Sequence, residues 1–179
     1  MAAISRQTSI QTDYQEETPL LSRSPLTFSH LTLSDLALVH LEKEYAGEVV
    51  QLEPQIYPHG WSPSLILSEF DKKISFRPAL LCNDQVVAYS FNYIVEDELH
   101  ILNIAVHPEA QGRGIGSYFL KAILEEARKR SVSYCFLEVR RSNIKAQNLY
   151  YAAGFVSNGV RRNYYSDNQE DAILMELTF

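Results

Sequence analysis

The stretch that most restricts this chain is Asn103-Ile-Ala-Val-His-Pro-Glu-Ala-Gln-Gly-Arg-Gly-Ile-Gly116. An apolar run over 99–106 enters a proline-led turn. Gln111-Gly-Arg-Gly-Ile-Gly116 then opens directly into a helical pattern. Glycines let the backbone turn sharply and approach a ligand closely. The free N–H groups and the dipole at the start of a helix favour an anion. Strand, glycine loop and helix in this order predict a pyrophosphate cradle, or a glycine-rich turn into a helix that holds no ligand. No Gly-Lys-Ser/Thr is present, so it is not a Walker loop. Gly112-x-Gly114-x-Gly116 also lacks the G-x-G-x-x-G spacing of the dinucleotide fingerprint.

Around this stretch the periodicity predicts one mixed α/β domain built on a single sheet. Ser34 can cap a helix carrying Leu36, Val39 and His40, and Ser62 with Pro63 opens a helix carrying Leu65, Ile66 and Phe70. Residues 54–60 between them are expected as loop. Strands are predicted over 79–81, 86–95 and 99–106, with turns at Asn83-Asp84 and Asp97-Glu98. A helix over 117–130 buries Phe119, Leu120, Ile123, Leu124 and Ala127, and an apolar strand over 132–139 follows. A helix over 143–153 stops at Gly154, and strands over 155–161 and 172–177 end the chain.

Residues 1–27 are rich in Ser, Thr and Gln without apolar periodicity. They are expected to form a disordered tail before a domain over 28–179. No apolar run approaches the roughly 20 residues of a membrane-spanning helix. Asp+Glu 22 against Lys+Arg 16 gives a net charge of −6, which argues against direct nucleic-acid binding. Cys82 and Cys135 form no CxxC pair and read as buried thiols of a reducing compartment. Without a secretory or mitochondrial leader pattern, the cytoplasm is the expected location. The histidines show no metal spacing, and no metal is expected.

The Gln111–Gly116 arrangement resembles motif A of the GCN5-related N-acetyltransferases, Gln/Arg-x-x-Gly-x-Gly/Ala. Further on, Leu-Glu138-Val-Arg-Arg-Ser-Asn143, Leu149-Tyr150, Gly154-Phe155 and Arg161-Arg-Asn-Tyr-Tyr165 resemble the RimI-type ribosomal-protein-alanine N-acetyltransferases of that family. The resemblance implies a single domain with a mixed, mostly antiparallel central sheet flanked by helices. It implies acetyl-CoA as co-substrate, with its pyrophosphate on Gly112, Arg113, Gly114, Ile115, Gly116 and Ser117. The backbone of Ile104, Ala105 and Val106 would meet the pantetheine arm. It implies a protein N-terminal peptide as acceptor, the N-terminal alanine of a small-subunit ribosomal protein.

Glu138 matches the family's general base and Tyr150 the tyrosine that protonates the departing thiolate. By residue type alone, Glu138 also reads as a solvent-facing or capping carboxylate, and Tyr150 as core. Asn143 reads as a helix cap, and in the family it also bonds the cofactor. Arg161 to Tyr165 read as a wall of the peptide site. The family's F-P-W-S run near the chain start appears here as Tyr57-Pro-His-Gly-Trp61-Ser62, beside the expected substrate entrance. Two other activities fit the same residues: acetylation of a different amine, and non-catalytic sensing of acetyl-CoA as an adaptor.

Overall fold

The computed structural model describes residues 28–179, so the expected tail lies outside the described residues. Eight strands form one sheet: β1 (Ala37–His40), β2 (Ser75–Phe76), β3 (Pro78–Cys82), β4 (Gln85–Val95), β5 (Glu98–Val106), β6 (Tyr134–Arg140), β7 (Val156–Tyr165) and β8 (Glu170–Thr178). Their order is β1-β3-β4-β5-β6-β8-β7, with β2 beside β4. β5 and β6 run parallel and every other pair is antiparallel, as expected. The described residues also form four α-helices: α1 (Ala46–Ile56), α2 (Pro63–Glu69), α3 (Ile115–Lys129) and α4 (Ile144–Ala152). None of them is long and apolar enough to cross a membrane.

The two faces of the sheet carry separate cores. On one, Phe119, Leu120 and Ile123 of α3 are fully buried against Leu99, Cys135 and Leu137. Each such side chain contributes about 1.5–3 kcal/mol through burial. On the other, Val49 and Leu52 of α1 and Ile66 of α2 pack on Tyr89 and Phe91 of β4. Asn83 and Asp84, both at positive φ, make the tight turn that joins β3 to β4.

One irregularity shapes the site. β5 pairs Ile101 with Asn92 and then Asn103 with Phe91, so Leu102 is an extra, bulged residue. The bulge lets both Ile101 and Ile104 pack on the α3 side, while Ala105 joins the α1 side. Pairing of β5 with β6 ends at Ile101↔Leu137, although the strands run on to Val106 and Arg140. Beyond that point they part, and a wedge opens between them.

Two expectations are overturned. The helix from Ser34 is instead a short 3₁₀ turn, Leu33–Asp35, followed by β1. Thr32 donates to Asp35 through its N–H (2.8 Å) and its hydroxyl (2.7 Å), which closes the turn locally. Leu36, Val39 and His40 are too few to define a helical period, and pairing with β3 from Ala37↔Leu81 to His40↔Pro78 decides the conformation. Residues 54–56 are the last turn of α1 and not loop. Pro54 removes one N–H, at a cost of about 3 kcal/mol in a helix interior. Burial of Leu52 and Glu53 and the Tyr57 N–H bond to the Glu53 carbonyl (2.9 Å) keep the turn helical. Only 57–60 of that expected segment is loop.

Gly154 stops α4 at φ +98°, where an added Cβ would also touch Leu177 at 3.4 Å. Gly154→Ala should cost about 1 kcal/mol or more, because alanine is strained at positive φ. The expected result is a lower urea midpoint at unchanged slope; an unchanged midpoint would show that the backbone relaxes there freely.

Candidate active site

The wedge forms a cleft of about 560 Å³. β5 and β6 make two of its sides, α4 and Gly116 of α3 a third, and the 57–61 loop with Tyr165 and Asp167 its mouth. Ile104, Val106, Gly116, Glu138, Asn143 and Tyr150, all expected as site residues, meet there. Ala105, Gly112, Arg113, Gly114, Ile115 and Ser117 do not line it. The last five form the glycine loop and the first turn of α3 around Gly116.

Strand alternation divides the functional groups between the two faces. Cys135, Leu137 and Val139 of β6 enter the α3 core, so Glu138 and Arg140 point to the opposite face. The Arg161 guanidinium donates to Glu138 Oε1 at 2.7 Å. Oε2 has no partner among the described residues. Tyr150 approaches from α4, 6% exposed and packed on Phe155. Burial, then the neighbouring Tyr57 and Tyr165, raises its phenol well above the usual value. The phenol therefore keeps its proton at neutral pH, and it has no hydrogen-bond partner among the described residues. Tyr151, one step round the helix, is exposed.

Gly112 and Gly114 both sit at φ +78°, and a Cβ added at either meets nothing within 4 Å. The backbone conformation, not crowding, calls for glycine here. Gly114 caps α3 without a side chain, and the first turn holds no acidic residue. The expected contribution of Ile115 narrows to its backbone, since its side chain is 2% exposed in the core. Ala105 pairs with Tyr89 of β4, and the carbonyls on either side of it accept from side chains. Ile104 accepts from the Tyr57 hydroxyl, and Val106 accepts from Gln111 Nε2 at 3.0 Å. Asn143 caps α4, its Oδ1 accepting from the Ala146 N–H at 3.1 Å.

The sequence reading missed three participants. Glu53 lies buried beside the cleft, one residue before the segment expected as loop, and nothing in its sequence neighbourhood marks it. Tyr57 was read only as part of a shifted motif. The third is a latch on the β7–β8 turn. Arg140 binds Asp167 (2.9 Å) and Glu170 (3.3 Å) and stacks on Tyr165 at 3.8 Å. The only sequence signal for that latch is the acidic spacing Asp167…Glu170 after Arg161-Arg-Asn-Tyr-Tyr165. Of the expected peptide wall, Tyr165 lines the cleft and Arg161 reaches Glu138, while Tyr164 is exposed beside Arg161.

Hydrogen bonds from Ser142, first its side chain and then its N–H (2.6 Å), hold Glu170 down at about 2. Because that value lies below the ordinary 4.5, the stabilisation is complete above about pH 4.5 and disappears as pH falls through 2. Ser142→Ala should move the carboxyl midpoint of Glu170 upward in an NMR titration. An unmoved midpoint would show that the Ser142 hydroxyl does not set it, leaving the backbone N–H, Asn168 and Arg140.

The Acetyltransferase (GNAT) family profile matches residues 37–155. The [ribosomal protein bS18]-alanine N-acetyltransferase of Escherichia coli K12 is 35% identical over 149 residues, covering 82% of this chain and 96% of the relative. The enzyme of the same name from Haemophilus influenzae is 35% identical over 129 residues, covering 70% and 86%. The crystal structure of the Escherichia coli ribosomal-protein-S18-alanine N-acetyltransferase superposes with a TM-score of 0.75 at 33% identity, covering 80% of this chain and 93% of that one. Arabidopsis thaliana Naa50, solved with the bisubstrate analogue CoA-Ac-MVNAL, shares the fold at a TM-score of 0.71 and 19% identity, covering 81% and 99%. With a matching family profile, a shared fold and 35% identity to acetyltransferases over most of its length, this chain belongs to the GNAT acetyltransferase family.

Proposed function

We propose that this protein transfers the acetyl group of acetyl-CoA to a protein N-terminal α-amine, that of an N-terminal alanine on a small-subunit ribosomal protein. One observation carries the reading. A single cleft holds a carboxylate, Glu138, set on one face of the sheet, and a protonated phenol, Tyr150, arriving from the other. The 35%-identical Escherichia coli relative is a [ribosomal protein bS18]-alanine N-acetyltransferase, which supports the choice of acceptor. Two buried free thiols support a reducing compartment, the cytoplasm.

The residues present fit acetyl-CoA. The glycine loop leaves open space where side chains would stand, and the uncapped N–H groups of α3 suit a pyrophosphate. Gly112, Arg113, Gly114, Gly116 and Ser117, with the Ile115 N–H, would hold it. Backbone groups of Ile104, Ala105 and Val106, together with Asn143, would hold the arm. When bound, acetyl-CoA supplies the acyl group as a thioester.

An amine is nucleophilic only when neutral, and an α-amine has a pKa of about 7.7–8.0 against about 10.4 for lysine. A modest base such as Glu138 suffices for the α-amine at neutral pH, directly or through a water. Arg161 fixes Oε1 and leaves Oε2 for that proton. On the opposite side, Tyr150 holds a proton on its phenolic oxygen for the leaving sulfur.

Incubation with acetyl-CoA and the N-terminal peptide of ribosomal protein bS18, followed by mass spectrometry, should show acetyl on the α-amine. Acetyl found only on lysine, or none at all, would overturn the reading. Gly114→Glu should abolish coenzyme A binding in calorimetry, because a side chain and a negative charge would enter the anion cradle. Unchanged affinity would end the assignment of the loop. Glu138→Gln and Tyr150→Phe should each lose about 10²–10⁴-fold in turnover at pH 7. The first should recover partly near pH 9, where the amine is already neutral, and the second should not. Wild-type turnover in both would remove them from the chemistry.

A further inference from the structure

We infer that Glu53 is a positioning residue of the acceptor side: its buried carboxylate holds the 57–61 wall against β5 and presents the negative charge whose counter-ion is the substrate's α-ammonium. The inference rests on the proposed α-amine reaction and adds to it the group that draws in the charged form.

Glu53 is 1% exposed yet borders the cleft. Its donors are all neutral. The Tyr89 hydroxyl and the Trp61 N–H (2.8 Å) reach one oxygen each. Asn103 Nδ2 forks to both, at 3.1 and 3.2 Å. No Lys, Arg or His lies within ion-pair distance among the described residues. The other carboxylates on the cleft all have cations: Glu138 has Arg161, and Asp167 and Glu170 share Arg140. Neutral donors orient a buried carboxylate but leave its net charge uncompensated, and such a charge is costly unless something cationic arrives.

Two neighbours sharpen this picture. A carboxylate only accepts hydrogen bonds, so Asn103 must turn its NH₂ to Glu53. Its Oδ1 is then buried without a partner, a second electron-rich atom beside the same cleft. At Gly60, an added Cβ would lie 2.5 Å from Glu53 Oε1, so glycine keeps the carboxylate's place in the wall. The titratable groups facing Glu53 are the phenols of Tyr57 and Tyr89. Burial first and Glu53 second push both up, so they stay neutral. His59 sits on the mouth loop, and Glu138 and Arg140 lie across the cleft with their own partners.

A fixed negative charge favours the bound ammonium and does nothing for the neutral amine. Its effect therefore belongs in the peptide KM and not in kcat. Glu53→Gln keeps the side chain's size and removes the charge. At about pH 6.5, below the α-amine pKa of about 7.7–8.0, it should raise the KM for the bS18 N-terminal peptide roughly 10- to 100-fold. The KM for acetyl-CoA should not change. Near pH 9 the difference in peptide KM should largely close. Glu53→Asp, which retains the charge, should restore the pH-dependent part. Gly60→Ala, which displaces the carboxylate, should resemble Glu53→Gln.

A wild-type peptide KM for Glu53→Gln at about pH 6.5 would overturn the inference. So would an equal loss at both pH values accompanied by a raised acetyl-CoA KM, which marks a mere brace of the fold. Wild-type protein that modifies no α-amine would overturn the proposed reaction itself.

Discussion

The site depends on the failure of β5 and β6 to stay paired. Parallel strands normally satisfy one another's backbone along their whole length. Here the ladder ends at Ile101↔Leu137, where the Leu102 bulge bends β5 away. Every feature of the cleft follows from that separation. The backbone of 103–106 loses its neighbour on one side, Glu138 and Arg140 lose theirs on the other, and α4 can bring Tyr150 into the gap. A continuous sheet would keep the groups of its two faces about a layer of side chains apart. A wedge lets a carboxylate on one face and a phenol on the other share a single space.

The price of an open wedge is polar backbone without a strand partner, and the protein meets part of it with side chains. Tyr57 covers the Ile104 carbonyl and Gln111 that of Val106, while Gln147 Nε2 donates to the carbonyls of Arg140 (3.0 Å) and Arg141 (2.9 Å). These bonds tie the wall loop, the glycine loop and α4 to the strand ends. The carboxylates around the gap are held in two ways. Glu138, Asp167 and Glu170 are oriented by guanidinium groups, which cancels much of their field. Glu53 is oriented by a phenol, an amide and a backbone N–H, which preserves its field. A site that must admit a cation and then remove its proton has a use for both.

Much of this was legible in the residues. The strand, glycine loop and helix of 99–130 stand where periodicity places them, because one long amphipathic helix and one apolar strand leave few alternatives. Glu138 and Tyr150 stand out only through the resemblance to the acetyltransferase family, and both line the cleft. β1 was not legible: four residues, Ala37–His40, cannot display a period, and their conformation is set by β3, more than 30 residues away. The last turn of α1 was not, because local propensity at Pro54 opposes it and only tertiary burial of Leu52 and Glu53 decides. The latch on Arg140 was invisible for the same reason, since its partners lie 27 and 30 residues further along the chain. What failed was the part of the structure determined by pairing across distance rather than by sequence neighbours.

Glu53 shows why such misses concentrate at sites. A buried carboxylate next to a proline, at the end of a short helix, violates the local rules for both burial and helix formation. Neither violation has a compensation within the helix itself. Those compensations come from β4, β5 and the 57–61 loop, brought together only once the sheet has formed. Because the carboxylate is held by neutral groups on three separate elements, moving any one of them alters the wall of the cleft. The geometry of the acceptor side is thus a property of the folded sheet. It reaches the substrate through one side chain whose charge the protein itself leaves unpaired.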